Sequence, residues 1–155
     1  MVAAANGHVQ RSAFASAPLV PEPQTTFGQH LAEELRGRSV VIASTYGGGE
    51  AWLHRPSPED GPGESTPFVE TVEAPGPRTL DGAIAAAVGG AAPGFLVDLR
   101  DAPTTGPVRD AADELEGTAH GPHVLSSSPF DAFDAAVHVQ RITPWHTWLD
   151  AHGHS

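Results

Sequence analysis

The stretch Ser39-Val40-Val41-Ile42-Ala43-Ser44-Thr45-Tyr46-Gly47-Gly48-Gly49-Glu50 decides how the chain is read. Three β-branched residues in a row favour a buried strand over a helix, and the triple glycine closes it in a turn. Upstream, Phe27, Leu31 and Leu35 fall on one stripe at i, i+4 and i+8, with Thr25 or Thr26 as N-cap and Gly37 as the stop. Downstream, Thr79 caps a second helix over Leu80–Val88, ended by Gly89-Gly90, and Phe95-Leu96-Val97 reads as a further strand. Pro107 suits the first turn of a third helix over 108–115. Ala135–Val139 is the last strand, closed by Ile142-Thr143-Pro144. At the other end, residues 2–5 are small and apolar and read as a first strand that breaks at Asn6-Gly7-His8.

The resulting order, β-α-β-α-β-α-β with continuously apolar strands, predicts an α/β fold: a mainly parallel sheet with flanking helices in three layers. Residues 12–24 read as loop, and 46–78 as a Gly/Pro/Glu-rich excursion with one edge strand at 68–72. One domain is expected over 1–150, followed by a flexible tail at 151–155. Right-handed crossovers would bring all strand carboxyl ends to one side, where open α/β sheets hold their ligands. Asn6, His8 and Arg11 follow the first strand and Tyr46 with its glycines the second; Asp98, Arg100 and Asp101 follow the third, and Gln140 and Arg141 the fourth.

Composition narrows the chemistry. A formal charge of −11 argues against nucleic acid and against anionic membrane surfaces. The absence of cysteine excludes disulfides, thiolate catalysis and cysteine metal sites. All eight basic residues are arginine, which excludes Schiff-base chemistry and a lysine-dependent phosphate loop. No run of 18 apolar residues occurs, so a cytoplasmic protein is expected.

Each polar cluster has a functional and a plainer reading. His8 beside Arg11 offers an imidazole for proton transfer and a cation for a carboxylate or oxyanion; the plainer reading is a solvated turn. Gly47-Gly48-Gly49 permits close backbone approach to a ligand, or is a flexible loop. Asp98 and Arg100 suit a binding pair or a structural ion pair. Ser126-Ser127-Ser128, with His123 and Asp131 nearby, has the residue types of a serine triad, but no G-x-S-x-G elbow is present. The histidines at 120, 123, 146, 152 and 154 fall into no H-E-x-x-H pattern, and no metal site is assigned. Trp145 and Trp148 most simply pack the tail onto the domain.

Five segments occur in a familiar order: Ala3-Ala4-Ala5-Asn6-Gly7-His8-Val9, Thr26-Phe27-Gly28-Gln29-His30-Leu31, Val41 to Gly49, Phe95-Leu96-Val97-Asp98-Leu99-Arg100, and Phe133 to Val139 with Thr143-Pro144. Together they resemble the C-terminal stretch of the erythromycin esterase family, and of its relatives annotated for succinoglycan biosynthesis. The resemblance covers nearly the whole chain. It implies hydrolysis of a carboxylic ester or macrolide lactone, as in macrolide resistance, by a histidine-activated water without metal or cofactor. It further implies that the principal histidine and its glutamate partners belong to an N-terminal half, so that the present chain is incomplete relative to the full-length family fold.

The family's His-Asn-x-His pattern falls on Ala5-Asn6-Gly7-His8, so Asn6 and His8 match and the first histidine position is Ala5. The expectation is therefore catalytic His8, with substrate-binding Asn6, Arg11, Tyr46, Arg100 and Arg141, in a chain that is catalytically incomplete by itself. A non-catalytic ligand-binding or remnant module is the alternative. The expected ligand is a small ester or macrolide. Self-association or a complementing N-terminal chain is also expected, because a strand at 2–5 would leave an open edge.

Overall fold

The computed structural model describes residues 1–18, 20–56, 65–89, 92–120 and 123–144. The helices lie where their caps placed them. Helix α2 (Phe27–Leu35) starts in a capping box: the Thr26 hydroxyl accepts from the Gln29 amide at 3.0 Å, and the Gln29 side chain accepts from the Thr26 amide at 2.9 Å. The chain leaves it through Arg36 and Gly37, both at positive φ. Helix α3 (Leu80–Val88) is capped by Thr79, whose hydroxyl accepts from Gly82 at 3.0 Å, and stops at left-handed Gly89. Helix α4 (Pro107–Asp113) begins on its proline and ends short of the expected 115. Two single turns, α1 (Asn6–Val9) and α5 (Pro129–Ala132), complete the helices among the described residues.

The strands depart from expectation. Strand β3 (Ile42–Tyr46) pairs in parallel with β9 (Ala135–Val139), from Ile42 opposite Ala135 to Tyr46 opposite Val139. Strand β6 (Gly94–Asp98) lies on the other side of β9 and runs antiparallel to it, Gly94 opposite Val139 and Asp98 opposite Ala135. The three form a mixed sheet in the order β3-β9-β6. A second sheet, β2-β1-β8-β7, is antiparallel and contains β1 (Phe14–Ser16), β2 (Val20–Gln24), β7 (Gly117–His120) and β8 (His123–Ser126). Strands β4 (Gly49–Pro56) and β5 (Ser65–Val72) form an antiparallel hairpin.

The mainly parallel, three-layer α/β sheet with flanking helices is therefore wrong: among the described residues β3 with β9 is the one parallel strand pair, and the other strand pairs are antiparallel. Residues 2–5 form no strand; they are exposed and lead directly into α1. The stretch 12–24, read as loop, supplies β1 and β2. The two prolines of β2 hid it from a propensity argument, and they are tolerated because β2 is an edge strand. The excursion 46–78 holds two eight-residue strands where one edge strand at 68–72 was expected. The expected tail packing of Trp145 and Trp148 lies outside the described residues.

Packing explains the arrangement. Ala43, Leu80, Ile84, Leu99, Ala132, Phe133 and Ala136 form the buried cluster under one face of the β3-β9-β6 sheet, with α3 as its main cover. Burial of each large side chain there contributes about 1.5–3 kcal/mol. Two aspartates tie the pieces together. Asp81, fully buried, accepts from the Tyr46 amide at 3.1 Å and the Ala119 amide at 2.8 Å, joining α3 to β3 and β7. Asp134 pairs with Arg11 and accepts from the Val41 amide at 2.7 Å.

Candidate functional site

Because β6 runs against β9, the sheet has two distinct polar ends. At the carboxyl end of β3 and β9 stand Tyr46, the three glycines, Gln140 and Arg141. A crevice of about 450 Å³ opens there, lined among others by Gly48, Glu50, Glu73, Gln140 and Arg141. The glycines are needed, but by the protein's own backbone. A Cβ on Gly47 would press on the Gln140 carbonyl, and one on Gly49 on the Ile142 carbonyl. This tight passage is stitched by the Glu50 amide on Ile142 O at 3.0 Å and the Ile142 amide on Gly48 O at 2.9 Å. Gly48 and Gly49 also have φ of 124° and 130°, which side chains disfavour.

The opposite end holds Arg11 and Arg100. Arg11 binds the Asp134 carboxylate. Burial pushes the Asp134 pKa up, but the Arg11 hydrogen bond and the Val41 amide outweigh it, and the net shift is downward. Arg100 grips Asp98 through two contacts, Nε to Oδ1 at 3.0 Å and Nη2 to Oδ2 at 2.5 Å, in an exposed setting. Those hydrogen bonds hold the Asp98 carboxyl at about 2, and the same pairing raises the Arg100 pKa. Both arginines thus serve carboxylates of the chain itself. Arg100 lies at the far end of the sheet from Tyr46, a separation that the antiparallel β6 imposes.

Asn6 and His8 sit on α1 beside the free edge of β3. The Asn6 side chain behaves as a strand partner: its Nδ2 donates to Ser44 O at 2.7 Å and its Oδ1 accepts from the Ser44 amide at 2.9 Å. This clip caps the edge of β3 and occupies both polar atoms of the amide. His8, two residues on, is exposed. Among the described residues no hydrogen bond to its ring is present, so nothing fixes its tautomer or orientation. The structure thus places Tyr46 and Arg141 at one end, Arg11 and Arg100 at the other, and Asn6 and His8 along the edge.

Sequence reasoning passed over several buried polar residues, among them Asp81, His138 and Gln10. Asp81 keeps a pKa raised by burial, against the pull of the Ala119 and Tyr46 amides. His138, fully buried on β9, has Nδ1 3.0 Å from the Thr45 hydroxyl and an Nε2 with no partner among the described residues. Burial lowers its pKa, so the neutral ring is favoured. Gln10 is also fully buried and donates to the Ser12 and Ala13 carbonyls at 3.1 and 3.0 Å. Polarity inside an otherwise apolar strand was the available signal for His138 alone. A second, apolar groove of about 610 Å³ runs between residues 1–4, α2 and β3.

The family described as erythromycin esterase matches residues 1–142. A Bacillus cereus protein of known structure is 26% identical and superposes with a TM-score of 0.61, over 88% of this chain and 32% of that one. An erythromycin esterase, EreC, solved as a mutant in its open conformation, shares the fold at 18% identity and a TM-score of 0.62, over 88% and 30% of the two chains. A succinoglycan biosynthesis protein does so at 18% identity and 0.57, over 88% and 31%. The chain thus spans about a third of the length of these solved relatives. No curated protein matches it.

Proposed function

The chain belongs to the erythromycin esterase family, and from that premise we propose that it is a ligand-binding relative of ester and macrolide-lactone hydrolases that does not itself turn over such substrates. The observation that carries the reading is the isolation of His8. A histidine that activates water needs a partner for its second ring nitrogen and a group to orient it. Here the first position of the His-Asn-x-His pattern is Ala5, the Asn6 amide is committed to Ser44, and Arg11 is committed to Asp134. Removing one member of a catalytic unit costs orders of magnitude in rate, because its members act together. Binding is separable from that loss. The crevice beside Arg141 supports it, since an exposed guanidinium there can donate to an ester carbonyl.

Purified protein incubated with erythromycin and with simple aryl esters tests this, with ring opening and acid release followed by mass spectrometry. The expected result is no turnover above buffer and weak binding, with a Kd on the order of 1 mM, weakened about tenfold in Arg141→Ala. Turnover that His8→Ala abolishes would overturn the reading. Turnover indifferent to that change would mean that the reactive site lies elsewhere.

A further inference from the structure

Asn6 and Gly7 are each required by a different part of the fold. The Asn6 amide is the clip on β3, with Nδ2 donating to Ser44 O at 2.7 Å and Oδ1 accepting from the Ser44 amide at 2.9 Å. Gly7 is buried, and a Cβ there would stand 3.2 Å from Leu125 Cδ1, closer than side chains ordinarily pack. Side by side they form the dipeptide in which a side-chain amide is most open to attack by the chain itself. Glycine puts no Cβ in the path of the following nitrogen. That nitrogen is free, for the Gly7 N–H has no hydrogen-bond partner among the described residues.

The fold alone keeps the two groups apart. Helix α1 is one turn, Asn6–Val9, and Ala5 ahead of it supplies no side-chain cap. A turn this short does not persist by its own hydrogen bonds. It is anchored by the Asn6 clip and by the close approach of Gly28 on α2 to the Val9 and Gln10 carbonyls. Residues 1–5, which lead into it, are exposed.

We propose that Asn6 is a site of spontaneous, irreversible deamidation: the clip on Ser44 preserves its amide, each release of α1 from β3 exposes it to Gly7, and the product cannot remake both bonds of the clip. The Gly7 nitrogen, losing its proton, bonds to Asn6 Cγ while the Cγ–Nδ2 bond breaks and ammonia leaves. Water then opens the five-membered imide. Attack at the side-chain carbonyl gives aspartate; attack at the backbone carbonyl gives isoaspartate, which lengthens the main chain inside the turn. Aspartate sets a carboxylate oxygen where Nδ2 donated, so two acceptors face each other with no hydrogen between them. His8 rides on the same turn, so its place beside β3 is lost with the clip.

The test follows the peptide spanning Asn6-Gly7 by mass spectrometry, with chromatographic separation of aspartate from isoaspartate. Folded protein and protein in guanidinium chloride are incubated at neutral pH. Both are expected to convert, the folded protein at least about tenfold more slowly, because only its locally opened form reacts. Asn6→Asp carries the aspartate product from the start. Its β9 amides are expected to exchange hydrogen as in the parent, which shows an intact sheet, while the Ser44 and Gln10 amides exchange about tenfold faster. Equal rates in folded and unfolded chains, a folded protein that never converts, or unchanged Ser44 exchange in Asn6→Asp overturns the proposal.

Discussion

Asp134 ties together three segments at the amino end of β3 and β9. Its carboxylate takes Arg11 from the loop after α1 and the amide of Val41 ahead of β3, while its carbonyl takes the Leu99 amide. Hydrogen bonds to a charged group contribute about 1.5–3 kcal/mol each. Asp134→Ala is therefore expected to lower stability by about 3 kcal/mol, and Arg11→Ala by about half as much, because the Val41 bond persists in the second variant. Urea midpoints with an unchanged slope measure both. Equal losses would mean that the Val41 bond contributes nothing. The linkage has a definite sign: the Asp134 pKa is lowered on folding, so its contribution is present above the ordinary carboxylate value and is lost as pH falls through the lowered one. None of this was legible in the sequence, where Asp134 lies 123 residues from Arg11 and 93 from Val41. Asp98 and Arg100, two apart, were legible as a pair, and the plainer of their two readings is what the geometry displays.

At the level of elements, local chemistry was readable and strand direction was not. Thr26 and Thr79 named the helix starts, and Phe27–Leu35 and Leu80–Val88 match their expected bounds, as does Ala135–Val139. Caps and stops act within a few residues, so the sequence carries them directly. Strand direction depends on which neighbour a strand meets, and the apolar run Phe95-Leu96-Val97 is the same whether its partner runs up or down. Assuming crossovers put Arg100 beside Tyr46, whereas the antiparallel β6 puts it at the other end. Gly28 is the element-scale feature that periodicity missed. Helix α2 crosses the end of α1 so closely that a Cβ at Gly28 would overlap the Val9 and Gln10 carbonyls. Gly28→Ala is thus expected to destabilise, although alanine favours an isolated helix by about 1 kcal/mol. Gly37→Ala, at φ 79° with open space around it, is expected to cost about 1 kcal/mol for backbone strain alone. Thermal unfolding of the two variants separates these causes, and a Gly28→Ala protein as stable as the parent would show that α2 shifts freely on α1.

For the whole molecule, the sequence recorded a demand that the described fold meets by half. Continuously apolar strands implied cover on both faces, and one face of the β3-β9-β6 sheet has it. The covered half also determines the response to acid. His138 lies in that core as a neutral ring, its Nδ1 beside Thr45 and its Nε2 without a partner among the described residues. Its folded pKa is lowered by burial, so the unfolded chain binds the proton more readily. Its stabilising contribution is full above the ordinary histidine value of about 6.5 and is lost as pH falls from there towards the lowered one. Acidification also relieves the repulsion of a −11 chain, which acts in the opposite direction. Salt tells the two apart, because surface repulsion is screened and a buried ring is not. At about 0.5 M salt, where the Debye length is only a few Å, unfolding free energy is expected to fall between pH 7.5 and 5. The fall should be shallower in His138→Gln, which keeps a polar group for Thr45 and cannot titrate. A slope identical in the two proteins would remove His138 as its cause.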